Sequence, residues 1–167
     1  MDTRPVEPLP AGPDQESVWS YPRPPIVELV SKRIRVEFGG IDVADSMQAW
    51  RVIETASPPV YYIPRGDVRM DCLSPTDRRT FCEWKGAAAY WTVRAGDKMA
   101  PNAAWSYSEP SNGFHKIRDC FAFYRSLMDA CWVDEVRALP QPGRFYGGWI
   151  TPDIVGPFKG EPGSEGW

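Results

Sequence analysis

Apolar and polar residues alternate along this chain with a period of two, and no stretch carries the 3.6-residue stripe of an amphipathic helix. In residues 33–38 charged side chains take turns with Ile34, Val36 and Phe38, which puts those three on one strand face. Gly39-Gly40 supplies the left-handed dihedrals of a two-residue hairpin turn, with residues 41–44 as the return strand. Residues 49–55 continue the pattern, with Trp50, Val52 and Glu54 on one face and Arg51 and Ile53 on the other. Residues 60–63 read as a short extended piece between Pro58-Pro59 and Pro64, and Ser74-Pro75-Thr76-Asp77 as a turn. Residues 80–85 form a strand stopped at Gly86, with 87–94 as its partner and Gly96-Asp97 as the next turn. Residues 102–107, 121–124 and 130–133 complete the strands, while 46–48 and 126–129 are the short helix candidates.

Composition strengthens this reading. The 167 residues include 18 prolines, 14 glycines, only five leucines, and 22 Trp, Tyr and Phe together, which excludes a helical bundle or a coiled coil. The expectation is an all-β fold: a single curved antiparallel domain over residues 33–133, with an extended arm at each end. The N-terminal arm, residues 1–32, holds seven prolines in its first 25 residues and passes through Tyr21-Pro22-Arg23-Pro24-Pro25, a polyproline-like run that Trp19 and Tyr21 help to dock. The C-terminal arm, residues 134–167, carries seven glycines and five aromatics from Gly143 onward and reads as a segment packing on the domain.

Charge and cysteine usage narrow the partners. A net charge of -3 gives no basic excess for neutralising phosphates, so nucleic acid is not an expected partner. No run approaches the apolar length of a membrane span, and Met1-Asp2-Thr3-Arg4-Pro5 lacks the apolar core of a signal peptide, so a soluble cytoplasmic protein is expected. Cys72, Cys82, Cys120 and Cys131 form no C-x-x-C pair, and His115 is the sole histidine, so no metal or other cofactor is expected and the thiols read as free. His115 follows Asn112-Gly113-Phe114, a loop signal, and reads as a surface residue.

Several phrases resemble the DUF427 domain family, a group without assigned function. They are Glu54-Thr55-Ala56-Ser57-Pro58-Pro59-Val60-Tyr61-Tyr62-Ile63-Pro64, Thr80-Phe81-Cys82-Glu83-Trp84-Lys85-Gly86 with Tyr90, Asn102-Ala103-Ala104-Trp105-Ser106-Tyr107, and Phe121-Ala122-Phe123-Tyr124. The flanks Tyr21-Pro22-Arg23-Pro24-Pro25 and Phe145-Tyr146-Gly147-Gly148-Trp149-Ile150-Thr151 look like the longer members. The resemblance implies a fold of the Mss4-like or β-tent type. That group often holds zinc through paired C-x-x-C knuckles, which this chain lacks. The family's nucleotidyltransferase-like label predicts a Gly-Ser turn followed by paired aspartates. No D-x-D is present, and the one Gly-Ser pair, Gly163-Ser164, lies in the C-terminal arm.

Within the matching stretches, residues 80–85 are the densest candidate. Alternation places Thr80, Cys82 and Trp84 on one face and Phe81, Glu83 and Lys85 on the other. Cys82 is either a small core residue or a thiol activated by a nearby cation such as Arg78 or Arg79. Lys85 beside Gly86 is either a hairpin-closing surface lysine or an anion contact. Glu54 is either a partly desolvated acid–base group or one half of an ion pair with Arg33, Arg35 or Arg51. The aromatics Tyr61, Tyr62, Tyr90, Trp84, Trp105 and Tyr107 either fill a leucine-poor core or wall a ligand cavity.

No complete nucleophile or acid–base set can be assembled, so whether a reaction is catalysed stays open. The favoured reading is a pocket for a small polar or aromatic ligand, lined by Glu54, Tyr62, Arg78, Cys82, Trp84, Lys85, Tyr90, Trp105 and Tyr107. A second reading is an enzyme using Cys82 with Glu54 or Lys85. A third is an interaction module, with the aromatic arms holding a homodimer.

Overall fold

The structure, a computed structural model, describes residues 6–143 and 145–167. The reading of Met1 to Pro5 lies outside the described residues. The fold is all-β: the described residues contain fifteen strands, five short 3-10 turns and no α-helix.

Two sheets face each other across the main core. The smaller is built on the hairpin of β3 (Ile34–Phe38) and β4 (Ile41–Ser46). Antiparallel β11 (Ala130–Val133) and then β12 (Val136–Arg137) extend it on the β3 side. Ile34, Val36 and Phe38 are buried, as the alternation requires. Gly39 and Gly40 turn the hairpin with φ of +62° and +85°, and a Cβ on Gly39 would sit 2.1 Å from the Ala95 carbonyl oxygen.

The larger sheet contains β2 (Ile26–Leu29), β5 (Trp50–Glu54), β6 (Ser57–Pro64), β7 (Leu73–Cys82), β8 (Gly86–Ala95), β9 (Lys98–Ser106) and β10 (Cys120–Phe123). Their order across the sheet is β2-β5-β6-β10-β9-β8-β7, antiparallel throughout. Strand alternation gives this sheet two apolar faces. Tyr61, Ile63, Phe121 and Phe123 meet the smaller sheet, while Tyr62, Trp105, Cys120 and Ala122 form a second, aromatic cluster on the opposite face.

Four local expectations are corrected. Ser74-Pro75-Thr76-Asp77 is not a turn but part of the long edge strand β7, where the register shifts between Pro75 and Arg79. An edge strand tolerates a proline and a bulge, and Thr76 ties this one down by donating to Asn102 Oδ1 at 2.6 Å. Pro58 and Pro59 do not bracket a short piece; they lie inside the eight-residue β6, beyond its pairing with β10 and beside a bulge in β5. The strand expected over 80–85 ends at Cys82, and Glu83 to Lys85 form the turn into β8. Ser46 to Gln48 do not start a helix: the Ser46 hydroxyl accepts the Gln48 N–H at 3.0 Å and closes a bend. The candidate at 126–129 is a single 3-10 turn, Arg125–Leu127.

The terminal segments pack together and on the large sheet. β1 (Glu16–Ser17) pairs in parallel with β15 (Ile154–Val155), and β13 (Leu139–Pro140) pairs with β14 (Trp149–Ile150). Trp19 donates its indole N–H to the Pro157 carbonyl at 2.9 Å and meets Trp167 edge to face at 5.2 Å. Trp149, 1% exposed, donates to the Phe123 carbonyl at 3.1 Å and anchors the C-terminal segment to β10.

Candidate functional site

The aromatic face of the large sheet holds a cavity of about 210 Å³. Glu54 on β5 and Cys82 on β7 both line it, although their strands stand five places apart in the sheet. A flat sheet would separate them by roughly 24 Å at about 4.8 Å per strand, so the sheet rolls up around the cavity.

Its walls follow from strand alternation. Tyr62 projects from β6, Tyr90 from β8 and Trp105 from β9, and Tyr107 and Tyr124 stand just past the ends of β9 and β10. Trp105 is the hub. Its ring centroid lies 4.6 Å from that of Tyr124 and 6.5 Å from those of Tyr62 and Tyr90, and its indole N–H donates to the Tyr62 hydroxyl at 3.3 Å. Tyr90 shares a 3.0 Å hydrogen bond with Thr80. Burial pushes the phenols of Tyr62, Tyr107 and Tyr124 above the ordinary tyrosine value, so these rings present neutral hydroxyls. Around Tyr107 the Tyr62 hydroxyl adds to that rise, while the Lys85 ammonium works against it.

The fourth wall is the C-terminal segment. Phe145, Tyr146, Gly147 and Gln141 close the cavity against Trp105. Tyr124 donates to the Phe145 carbonyl at 3.1 Å, and the Gly147 backbone lies so near Trp105 that a Cβ there would fall 2.1 Å from Cη2 of the indole. Gln141 accepts from the Gly148 N–H at 3.0 Å and donates to the Lys159 carbonyl at 2.8 Å, holding the segment in place. Phe81 and Phe145, 77% and 60% exposed, stand at the rim.

Of the nine residues expected at a binding pocket, seven line this cavity: Glu54, Tyr62, Cys82, Lys85, Tyr90, Trp105 and Tyr107. Two do not. Arg78 stacks over the Tyr90 ring at 4.7 Å, outside the lining, and Trp84 packs on the aromatic cluster from beyond it. Lys85 is corrected from the face opposite Cys82 to the same cavity, because strand alternation stops at Cys82 and the following turn brings the lysine back. Glu54 pairs with none of its three expected arginines. Its partner is Arg23 at 3.8 Å, while Arg33 is engaged by Asp45, Arg35 by Glu37, and Arg51 by Glu16 and Glu28. The C-terminal wall was missed, although Gly147-Gly148 between aromatics is the kind of signal that marks a close backbone approach.

Other features carry less chemistry. Two clefts of about 380 and 460 Å³ flank Arg51, but its guanidinium is already held by Glu16 at 2.8 and 3.0 Å and by Glu28 at 2.5 Å. Among the described residues no three His, Cys, Asp or Glu side chains come together as a metal-ligand set, and Glu54 is the one carboxylate in the cavity lining. No helix among the described residues is long and apolar enough to cross a membrane. His115 is exposed.

A family model described as a domain of unknown function (DUF427) matches residues 26–134, which run from the start of β2 to just past the end of β11. No curated protein matches the chain.

Proposed function

The chain belongs to the DUF427 family, and we propose that it binds a small polar or aromatic molecule in the cavity between the rolled sheet and the C-terminal segment. One observation supports this reading above the rest: residues from β5 through the turn after β7, together with the C-terminal segment, converge on one cavity of about 210 Å³. An aromatic shell with a few charged and hydroxyl groups is the usual make-up of a ligand site. The matched family region supplies the sheet walls, and the segment that closes them lies beyond residue 134. The family domain thus provides the aromatic floor, and the extension shapes what fits on it.

The size constrains the ligand. About 210 Å³ is the liquid volume of roughly seven water molecules. An apolar cavity of about 150 Å³ holds benzene. A single ring with one polar substituent fits this space.

A fragment screen by thermal shift tests the proposal, because a ligand bound only by the folded state stabilises it by mass action, about 2.7 kcal/mol at a hundredfold excess over Kd. Single-ring fragments are expected to raise the melting temperature of the native chain and to lose that effect in Cys82→Trp, which fills the cavity from β7. Fragments that stabilise both proteins equally, or none at all, would overturn the reading.

Thiol chemistry is a second reading with one observation behind it. Cys82 is half-buried and faces the cavity, whereas Cys72, Cys120 and Cys131 are buried and burial pushes their thiols upward, Cys120 to about 11.

A further inference from the structure

The cavity's hydrogen-bonding groups are arranged asymmetrically, and the asymmetry is informative about the ligand. Tyr62, 1% exposed, has its oxygen occupied by the incoming indole N–H of Trp105, so its own proton is left to donate elsewhere. Tyr107 is 4% exposed and lines the same space. Apart from the neighbouring Tyr62 hydroxyl, its hydroxyl has no hydrogen-bond partner among the described residues. Lys85 is half-buried at this side of the cavity, close enough for its charge to act on the Tyr107 phenol, and forms no ion pair with a carboxylate among the described residues. One proton is used between the two hydroxyls, so Lys85 and the remaining hydroxyl proton of the Tyr62–Tyr107 pair face one region with no acceptor assigned to them.

The opposing charge does not cancel them. Glu54, the lining carboxylate, comes from the far side of the sheet order and already has Arg23 within 3.8 Å. Of the remaining walls, Val52, Pro58, Val60 and the Trp105 and Tyr124 rings are apolar or offer ring faces, while the polar Thr80, Tyr90 and Gln141 already hold hydrogen-bond partners. A buried donor left unpaired is costly, and an anionic acceptor makes bonds roughly twice as strong as a neutral one.

Resting on the cavity-binding reading above, we infer that the ligand is a small organic acid, with its carboxylate oxygens received by Lys85 Nζ and the free hydroxyl proton of the Tyr62–Tyr107 pair and its ring or branched body seated against Trp105, Val52 and Val60. A neutral amide of the same shape offers one acceptor and brings two donors into a region already rich in donors. An amine of the same shape places like charge beside Lys85. The acid is therefore favoured over its amide by about tenfold in Kd, since a charge-assisted bond exceeds a neutral one by about the energy that a factor of ten requires, and the amine is weaker still.

The test uses the full chain and matched compounds: benzoate, benzamide and benzylamine, with cyclohexanecarboxylate and its amide and amine, titrated by calorimetry at constant ionic strength. The acids are expected to bind at least about tenfold more tightly than their amides. In Lys85→Gln that preference is expected to disappear while amide binding is kept, and Tyr107→Phe should weaken the acids several-fold more than it weakens the amides. If amides or amines bind as well as the acids and Cys82→Trp abolishes them all, the cavity reading stands and the acid assignment is wrong. If none of the six binds the native chain, both readings fall. Acid binding that survives unchanged in Lys85→Gln and Tyr107→Phe also overturns the assignment.

Discussion

Replacing Gly147 by alanine probes the seam between the C-terminal segment and the sheet. The added methyl would lie 2.1 Å from Cη2 of Trp105, 2.9 Å from Cζ2 and 3.1 Å from Cζ3. Carbon contacts are favourable at about 3.5–4.0 Å, so the two surfaces must part by roughly 1.5 Å. Trp105 cannot retreat, because it packs at a tilt against Tyr124 with ring centroids 4.6 Å apart and is hydrogen-bonded to Tyr62. The C-terminal segment moves instead and draws Phe145 and Tyr146 away from the cavity. Forcing a group into a packed site costs about 1–3 kcal/mol, and the stiffer unfolded chain that alanine brings offsets up to about 1 kcal/mol. The net is a loss of about 1–2 kcal/mol, or about 2–8 °C in melting temperature for a chain of this length. Differential scanning calorimetry reads the shift, and ligand titration reads the opened wall. Gly66→Ala is the control: nothing lies within 4 Å of its Cβ position in the 3-10 turn Arg65–Asp67, so stability is expected to be unchanged or to rise by about 0.4–1 kcal/mol. A Gly147→Ala protein that melts no lower than the native chain and binds as well would refute the claim that this segment seals against Trp105.

Three further outcomes follow from the same contacts. Trp149→Phe strips the donor from the Phe123 carbonyl in a buried site and is expected to lower the urea midpoint by an amount worth about 1–3 kcal/mol; an unchanged midpoint would contradict the anchoring role of Trp149. Alkylation of the native protein at neutral pH is expected to modify Cys82 first and slow when a cavity ligand is added, because the other three cysteines are buried with thiols held upward; peptide mapping that finds uniform labelling would count against it. Glu16, Asp45 and Asp129 are held below the usual carboxylate range by their hydrogen bonds to Arg51, Arg33 and Lys98, so their contribution is present above the unfolded values near pH 4 and lost as pH falls through the lower folded values. The melting temperature should therefore drop on acidification below about pH 4 and drop less in Glu16→Gln; equal slopes would contradict the linkage.

Where one side of a strand faces the core, alternation was enough to place it. Residues 33–38 are of this kind, and their inward residues are the buried ones. It was not enough at Ser74 to Asp77, because turn-forming residues and a proline are tolerated on an edge strand that has no neighbour to satisfy on one side. It misplaced Lys85 because a period-two argument holds only while the strand lasts. Seven of the nine expected residues line the cavity, and four of them, Tyr62, Tyr90, Trp105 and Tyr107, could be named because polar-tipped aromatics recur along several strands. Which groups close the cavity could not, since the seam between Gly147 and Trp105 joins distant parts of the chain through tertiary packing. The Arg23–Glu54 pair was hidden for the same reason: the N-terminal segment reaches a strand that no local pattern assigns to it.

A crystal structure of the full chain soaked with benzoate tests the central claim most directly. The account predicts density for the ring against Trp105 and Val60, with carboxylate oxygens within hydrogen-bond reach of Lys85 Nζ and the Tyr107 hydroxyl. Benzoate seated elsewhere while this cavity stays free of it, in a protein that binds benzoate in solution, would contradict it.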